Sequence, residues 1–369
     1  MNAITCASPS EHRCRSERGA RLPTTAVLLA VAGCALAPTG SLADEGGVSF
    51  WLPGMYGSLA AVPQQQPGWS LATVYYHTSV SAGGDVSLSR EFTLRKIPVN
   101  LTANLTANLH GTGDLEFVVP SYVFATPVLG GQASVGMASI YGRTSTSLAG
   151  TLSGSLATPL GSIAFMRSDS ISDSVTGFGD LYPQATLKWN QGVYNFMTYL
   201  TGDIPVGAYD STRLSNIGIG HGAIDGGAGY TYFNPQTGRE LSAVTGLTAN
   251  FKNSSTDYQN GVDWHLDWGM SQFLSKQVHV GAVGYFYQQL TGDSGGGDRL
   301  GDFKSRVIGI GPQIGFIFPV GNMQGYLNVK GYKEFDEEHR AAGWNGWVTF
   351  AISPPAPSPP PPKTVLIHK

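Results

Sequence analysis

In the stretch GVDWHLDWGMS, Asp263, His265 and Asp267 recur at every second position. In an extended chain that places two carboxylates and an imidazole on one face, each roughly 7 Å from the next. These are the usual types for metal ligation and general acid–base work, so the sharp reading is a metal centre or a proton-transfer site. The plain reading is the wet wall of a polar interior. We take the wall, because the same register elsewhere carries Asn, Thr and Lys instead of further ligands. Ser271 shares this face but lies about 20 Å from His265 along a strand, too far for a nucleophile and its base. Lys330 and Glu334 in LNVKGYKEF read as charges of the same wall, able to set a transverse field across a pore. His221 sits beside Asp225 in the glycine-rich GIGHGAIDGG. That stretch lacks the helix and Lys-Ser/Thr of a phosphate cradle, which leaves either a gating loop folded into a lumen or an ordinary surface loop.

The elements that must position these groups are strands. VNLTANLTANLH (99–110) alternates without a fault: Val99, Leu101, Ala103, Leu105, Ala107 and Leu109 fall on one face, and Asn100, Thr102, Asn104, Thr106, Asn108 and His110 on the other. Its leucines also recur every fourth residue, as in a helix. YPQATLKWN, ELSAVTGLTANFK and GVDWHLDWGMS alternate as well, so the period of two decides. Several segments exceed ten residues, against five or six in soluble sheets, and a tilted strand crosses a bilayer in about 9–11. Length and alternation together predict an all-β transmembrane antiparallel up-and-down barrel, apolar to lipid and polar to its lumen. On that register Asn100, Asn104, Asn108, Gln184, Lys188, Asp263, His265, Asp267, Lys330 and Glu334 are expected to line the lumen.

From residue 178 onward strands are expected at about 178–190, 193–203, 223–234, 239–251, 261–274, 277–290, 303–319, 323–335 and 343–352. The links between them alternate short and long, as periplasmic turns and outer loops do. Upstream, strands are expected near 68–80, 90–109, 114–127, 131–143 and once within 144–170. The expected total is about fourteen, with twelve or sixteen as the other even counts. An open sheet would leave backbone groups unsatisfied in lipid. Trp69, Trp189, Trp264, Trp268, Trp344 and Trp347 lie near strand ends or on the lipid-side register, as an interfacial aromatic girdle would.

Composition agrees: of 369 residues only 13 % are charged and 49 are glycine, a profile of turns and sheet, not of a helical enzyme. Arg13, Arg15, Arg18 and Arg21 precede the apolar run Ala26–Ala37, and SLA (41–43) supplies a cleavage site, so residues 1–43 read as an export signal. The rival is a lipoprotein cut at VAGC, acylating Cys34. Cys6, Cys14 and Cys34 all fall in this presequence, which leaves no thiol chemistry or disulfides after cleavage at Ala43. The cut also takes the net charge from −3 to −5, with no basic patch for nucleic acid. Residues 44–67 are turn-rich, either a plug or a lead-in to a barrel at 68–352, and 353–369 form a proline-rich, extended tail. The sequons at Asn100, Asn104 and Asn253 are discounted, the first two because they fall mid-strand in a bacterial-type barrel.

The phrases GFGDLYPQATLKWN (177–190), TGDIPVGAYD (201–210), IGIGHGAIDGGAGYTYF (217–233), FLSKQVHVGAVGYFYQQLTGDSG (273–295) and GPQIGFIFPVGNMQGYLNVKGYKEFD (311–336) resemble the transporter-type proteins labelled as the MetA pathway of phenol degradation, and FWLPGMYGSLAAV (50–62) resembles the start of their mature domain. The resemblance covers nearly all of 46–353. It implies an outer-membrane channel associated with aromatic catabolism, without catalytic residues to carry over.

Three classes of function follow. The first is a channel for small hydrophobic or aromatic solutes, surrounded by outer-membrane lipid and needing no cofactor. The second is a barrel enzyme such as a lipid hydrolase, which needs Ser, His and an acid or amide meeting at the rim. The third is a structural barrel that binds a partner through its proline tail.

Overall fold

The computed structural model describes residues 49–64, 66–94, 97–296 and 304–355. The presequence, with the choice between Ala43 and Cys34, and the tail beyond residue 355 lie outside them. Twelve strands follow in order: Gly68–Leu94 (β1), Ile97–Val123 (β2), Gln132–Thr158 (β3), Gly161–Gln191 (β4), Tyr194–Asp203 (β5), Ala223–Asn234 (β6), Arg239–Asn250 (β7), Asp263–Phe273 (β8), Val278–Gln289 (β9), Arg306–Val320 (β10), Met323–Glu338 (β11) and Ala342–Ser353 (β12). Each pairs antiparallel with its neighbours, and β12 returns to β1 to close the ring.

The strand count is therefore twelve, not fourteen. Six expected segments between 68 and 190 fold as four strands. Gly111 and Gly113, which mark the break expected between 90–109 and 114–127, lie inside β2, whose ladder with β1 runs unshifted from Gly68↔Val123 to Leu94↔Ile97. Likewise β3 runs through residue 144 to Thr158, and β4 joins the end of the expected 144–170 strand to 178–190. A glycine in a strand weakens it without ending it when both neighbouring ladders hold. The alternation of links holds for seven of the eight expected from residue 190 onward, with turns at 192–193, 235–238, 274–277 and 321–322 and loops at 204–222, 251–262 and 290–305, and fails at the expected long link 336–342. It lapses at 159–160 and 339–341, both short links at the loop end. There the chain has spent its length on longer strands. We name the turn end periplasmic and the loop end outer, as in barrels of this kind.

The ring closes only over part of that length. β12 meets β1 from Leu71↔Ile352 to Ser81↔Ala342, and β5 meets β4 only over Gln184–Gln191. Past that level β1–β4 stand out as a four-stranded sheet, in which residues 82–94 alone reach about 40 Å.

Around the ring itself, exposed Trp69, Leu71, Phe196, Leu247, Ile314 and Val348 face out, while the buried side holds Asp225, Thr231, Asp263, His265 and Asn345. A wall that is apolar outside and polar inside suits hydrocarbon around it. Trp69 and Trp344 are strongly exposed. Trp347 departs from the girdle: three residues from Trp344, it takes the opposite face, packs on Tyr76 at 4.4 Å and is 3 % exposed. A closed ladder of this kind predicts a compact band for the unboiled protein that shifts when boiled. Unchanged mobility in membrane-extracted material would contradict closure.

Candidate functional site

Within the ring the polar faces converge on a segment that precedes the barrel. Residues 49–64 lie against the inner wall, with Trp51 and Ala61 fully buried. Asp267 on β8 accepts the Gly54 N–H at 2.9 Å and the Tyr56 N–H at 3.0 Å. From the other side Lys330 Nζ on β11 donates to the carbonyls of Gly54 (2.5 Å), Met55 (3.1 Å) and Tyr56 (3.1 Å). A turn of backbone is thus held between a carboxylate and an ammonium group, each using bonds that charge makes strong. Further along, Glu240 accepts from Leu59 N–H at 2.9 Å, Thr231 from Ala61 N–H at 3.1 Å, and Lys188 Nζ donates to Ala60 O at 2.8 Å. Burial, with the Asp267 and Asp225 carboxylates close by, raises the Tyr56 phenol well above its ordinary value and keeps it neutral.

Gly269 makes this approach feasible. It lies between Asp267 and Ser271 on the inner face of β8, and a Cβ there would come within 2.7 Å of Ser58 N. The segment separates two spaces. Leu52 borders an outer cavity of about 400 Å³, together with Tyr76, Val80, Leu109 and Arg340. Leu59, Val62 and Gln64 border a periplasmic-end cavity of about 920 Å³, shared with Ser121, Gln184 and Lys188.

The acid–base triplet is on one buried face of β8, as its spacing requires, yet its members do not converge. Asp263 accepts from Asn250 Nδ2 at 2.8 Å. His265 Nε2 lies 3.0 Å from Asp225 Oδ2 and 3.2 Å from the Tyr199 hydroxyl, and its ring stacks on Trp51 at 3.5 Å. Asp267 holds the segment. Glu334 accepts from Tyr285 OH at 2.7 Å and from Gly343 N–H at 2.8 Å. Asp225 belongs to the β6 wall, where Thr248 Oγ1 donates to it at 2.6 Å, and is not part of a loop. His221, at the base of loop 204–222, is buried beside Gly222 O and Asn260. Asn100, Asn104 and Asn108 go elsewhere: they are exposed, on the sheet beyond the closed ring and on the face opposite buried Phe117. The lumen register fails for them because β2 there has left the level where lipid would reward an apolar exterior.

Sequence reading missed Glu240, Thr231, Gln313 and His279, although all lie on the polar parity of alternating strands. It also missed that Ser271, too distant from His265, meets His279 Nδ1 at 3.1 Å across the β8–β9 ladder, along with Ser58 Oγ at 2.7 Å. The period-two rule finds the face but not the partner on the next strand.

A family model described as "Putative MetA-pathway of phenol degradation" matches residues 95–350. The chain belongs to that family. Among solved structures, this family member is similar to an outer membrane channel from Pseudomonas putida F1, with a TM-score of 0.56 at 12 % identity over 82 % of this chain and 100 % of that one. That likeness concerns the fold. CdiB from Acinetobacter baumannii (TM-score 0.28, 8 % identity, 76 % and 60 % covered) and OccK7 from Pseudomonas aeruginosa (TM-score 0.29, 9 % identity, 78 % and 99 % covered) are too distant to carry an argument. No curated protein matches the chain.

For this family member the geometry predicts how the segment is held. Lys330→Ala removes the side-chain donor to the Met55 and Tyr56 carbonyls and leaves Gly54 O only the Tyr332 hydroxyl at 3.3 Å, at about 1–3 kcal/mol for a carbonyl left unpaired and dry. Chymotrypsin cleavage after Tyr56 in the folded barrel should accelerate at least tenfold. Gly269→Val should do the same by collision alone, with the heat-shifted band intact. Protection equal to wild type in both variants would mean the clamp does not hold the segment.

Proposed function

We propose that the protein is an exported outer-membrane channel for small hydrophobic or aromatic solutes, serving aromatic catabolism, with residues 49–64 as its plug. The observation that carries this reading is the polar lumen itself. Four of its charged groups, Asp267, Lys330, Glu240 and Lys188, hold a piece of the same chain, and solute-sized spaces lie on either side of that piece. Membership in a family described by phenol degradation supports the solute class. Export by cleavage after Ala43 leaves residues 44–48 ahead of the plug and is part of the same reading.

Lipid hydrolysis is the weaker reading. The Ser271–His279 contact supplies a nucleophile and a base, but Ser271 is also engaged by Ser58 and Gln313 Nε2 (3.1 Å), inside the lumen instead of at the lipid rim. A hydrolase of bilayer lipid needs its serine where an acyl ester reaches it.

Proteoliposomes carrying the purified protein should take up labelled phenol faster than protein-free vesicles and with saturation. Uptake should rise further in Gly269→Val. Rates equal to empty vesicles for wild type and variant alike would end the channel reading.

A further inference from the structure

We propose that the inner face of the sheet carried by β1–β4 beyond the ring is a capture surface for small, single-ring apolar solutes, which passes them into the outer cavity. It rests on the channel reading above and adds the place where the solute is first held.

The argument is one of register. The β1–β2 ladder runs unshifted along its whole length, and β2 meets β3 in one constant register from Val118↔Ser139 outward. The face set inside the ring by buried Phe117 and Ile140, partners across β2 and β3, therefore continues outward unchanged. Along it come the pairs Leu109↔Leu148 and Leu105↔Leu152, and further out Leu156 opposite Ile163 on β4. The opposite face carries Asn108, Thr106↔Thr151, Asn104↔Ser153 and Thr102↔Ser155. At this level the outward face is polar and stands in water, and the apolar face is the one on the lumen side.

An antiparallel sheet in water covers its apolar face with a second layer. Among the described residues loop 204–222 covers only its inner end, at Thr144 and Asp173. A Cβ added at Gly84 or Gly150, both on the inner face, meets no atom within 4 Å. Ile163 and Ile171 on that face are 71 % and 54 % exposed. The face ends in the outer cavity: Leu109 is part of the cavity wall beside Val80 and Leu115. That space, about 400 Å³, sits at the small end of ligand pockets. A surface that begins in water, lies over the mouth and runs without a polar break along β2, with Thr144 and Thr146 entering on β3 only at the cavity wall, into a pocket of this size fits an apolar molecule of about one ring. At the far edge, on β4, Arg167 and Asp169 occupy the same face and keep the free edge hydrophilic.

The test uses p-cresol, a single-ring solute, as the probe and the full chain in lipid nanodiscs, with empty nanodiscs as background. Wild type should bind it saturably. The double variant Leu105→Asn with Leu152→Asn should bind about tenfold more weakly, while Leu105→Met with Leu152→Met, which keeps the face apolar, should bind like wild type. Asn104→Ser on the outward face should change nothing, and all variants should keep the heat-shifted band. In proteoliposomes the asparagine pair should slow uptake about tenfold at low external p-cresol and leave the saturated rate within twofold. Equal binding by the asparagine pair and wild type would overturn the proposal. So would light scattering that shows a wild-type dimer which the asparagine pair dissolves, since a second copy would then be the occupant. Loss of wild-type binding once lipopolysaccharide is included would overturn it too, assigning the face to acyl chains. Binding that depends on the leucines without any transport would sink the channel reading and leave the capture surface, and transport indifferent to the leucines would do the reverse.

Discussion

A strip of bare backbone inside a barrel needs a partner for every N–H and C=O it brings, and at its turn, residues 54–56, one carboxylate and one ammonium group supply most of them. Asp267 takes amides of the turn at 54–56 and Lys330 gives to its carbonyls. Neither charge is compensated by direct contact with the other; the peptide between them carries the field from one to the other through its own dipoles. Removing either residue would leave the remaining one buried beside unsatisfied backbone, which is why such an arrangement holds or fails as a unit. The rest of the lumen follows from it. Trp51 is placed over His265, Ser58 reaches Ser271, and the interior divides into two cavities.

Much of this was written in the alternation. The antiparallel barrel, the turn and loop ends from residue 190 to 322 and the inward parity of Asp263, His265 and Asp267 follow from period two and strand length. What alternation cannot carry is the solvent on each side. VNLTANLTANLH has the pattern of a lipid-facing strand, but Leu105 and Leu109 take the lumen side and its asparagines face out. The same dyad repeat serves a bilayer or water, and only the height of β12, which stops pairing at Ser81, tells which applies. The count came out at twelve, the lowest of the three even numbers expected, for a related reason. Gly111 and Gly113 are turn formers locally, yet unbroken ladders on both sides of β2 override them.

The clamp was illegible for another reason. Its two halves lie 213 and 276 residues from Gly54 along the chain, and no local pattern joins them. The sequence did contain the signal in weaker form. Lys188, Asp267 and Lys330 are charges on strands whose other inward positions are mostly neutral, and a charge inside a membrane wall calls for a specific partner. The partner was the chain's own beginning.

The direction in which that beginning runs has a practical side. Gly68 opens β1 at the periplasmic end, but Ser49, reached by Arg340 Nη1 at 3.4 Å, lies beside the 339–341 link at the outer end. Between the two, the polypeptide climbs the bore. Ser353, by contrast, finishes β12 among the turns. An epitope tag spliced just ahead of Ser49 would therefore start at the cell-surface mouth and one placed after Ser353 at the periplasmic mouth, so the two positions can be decorated from opposite sides of one membrane.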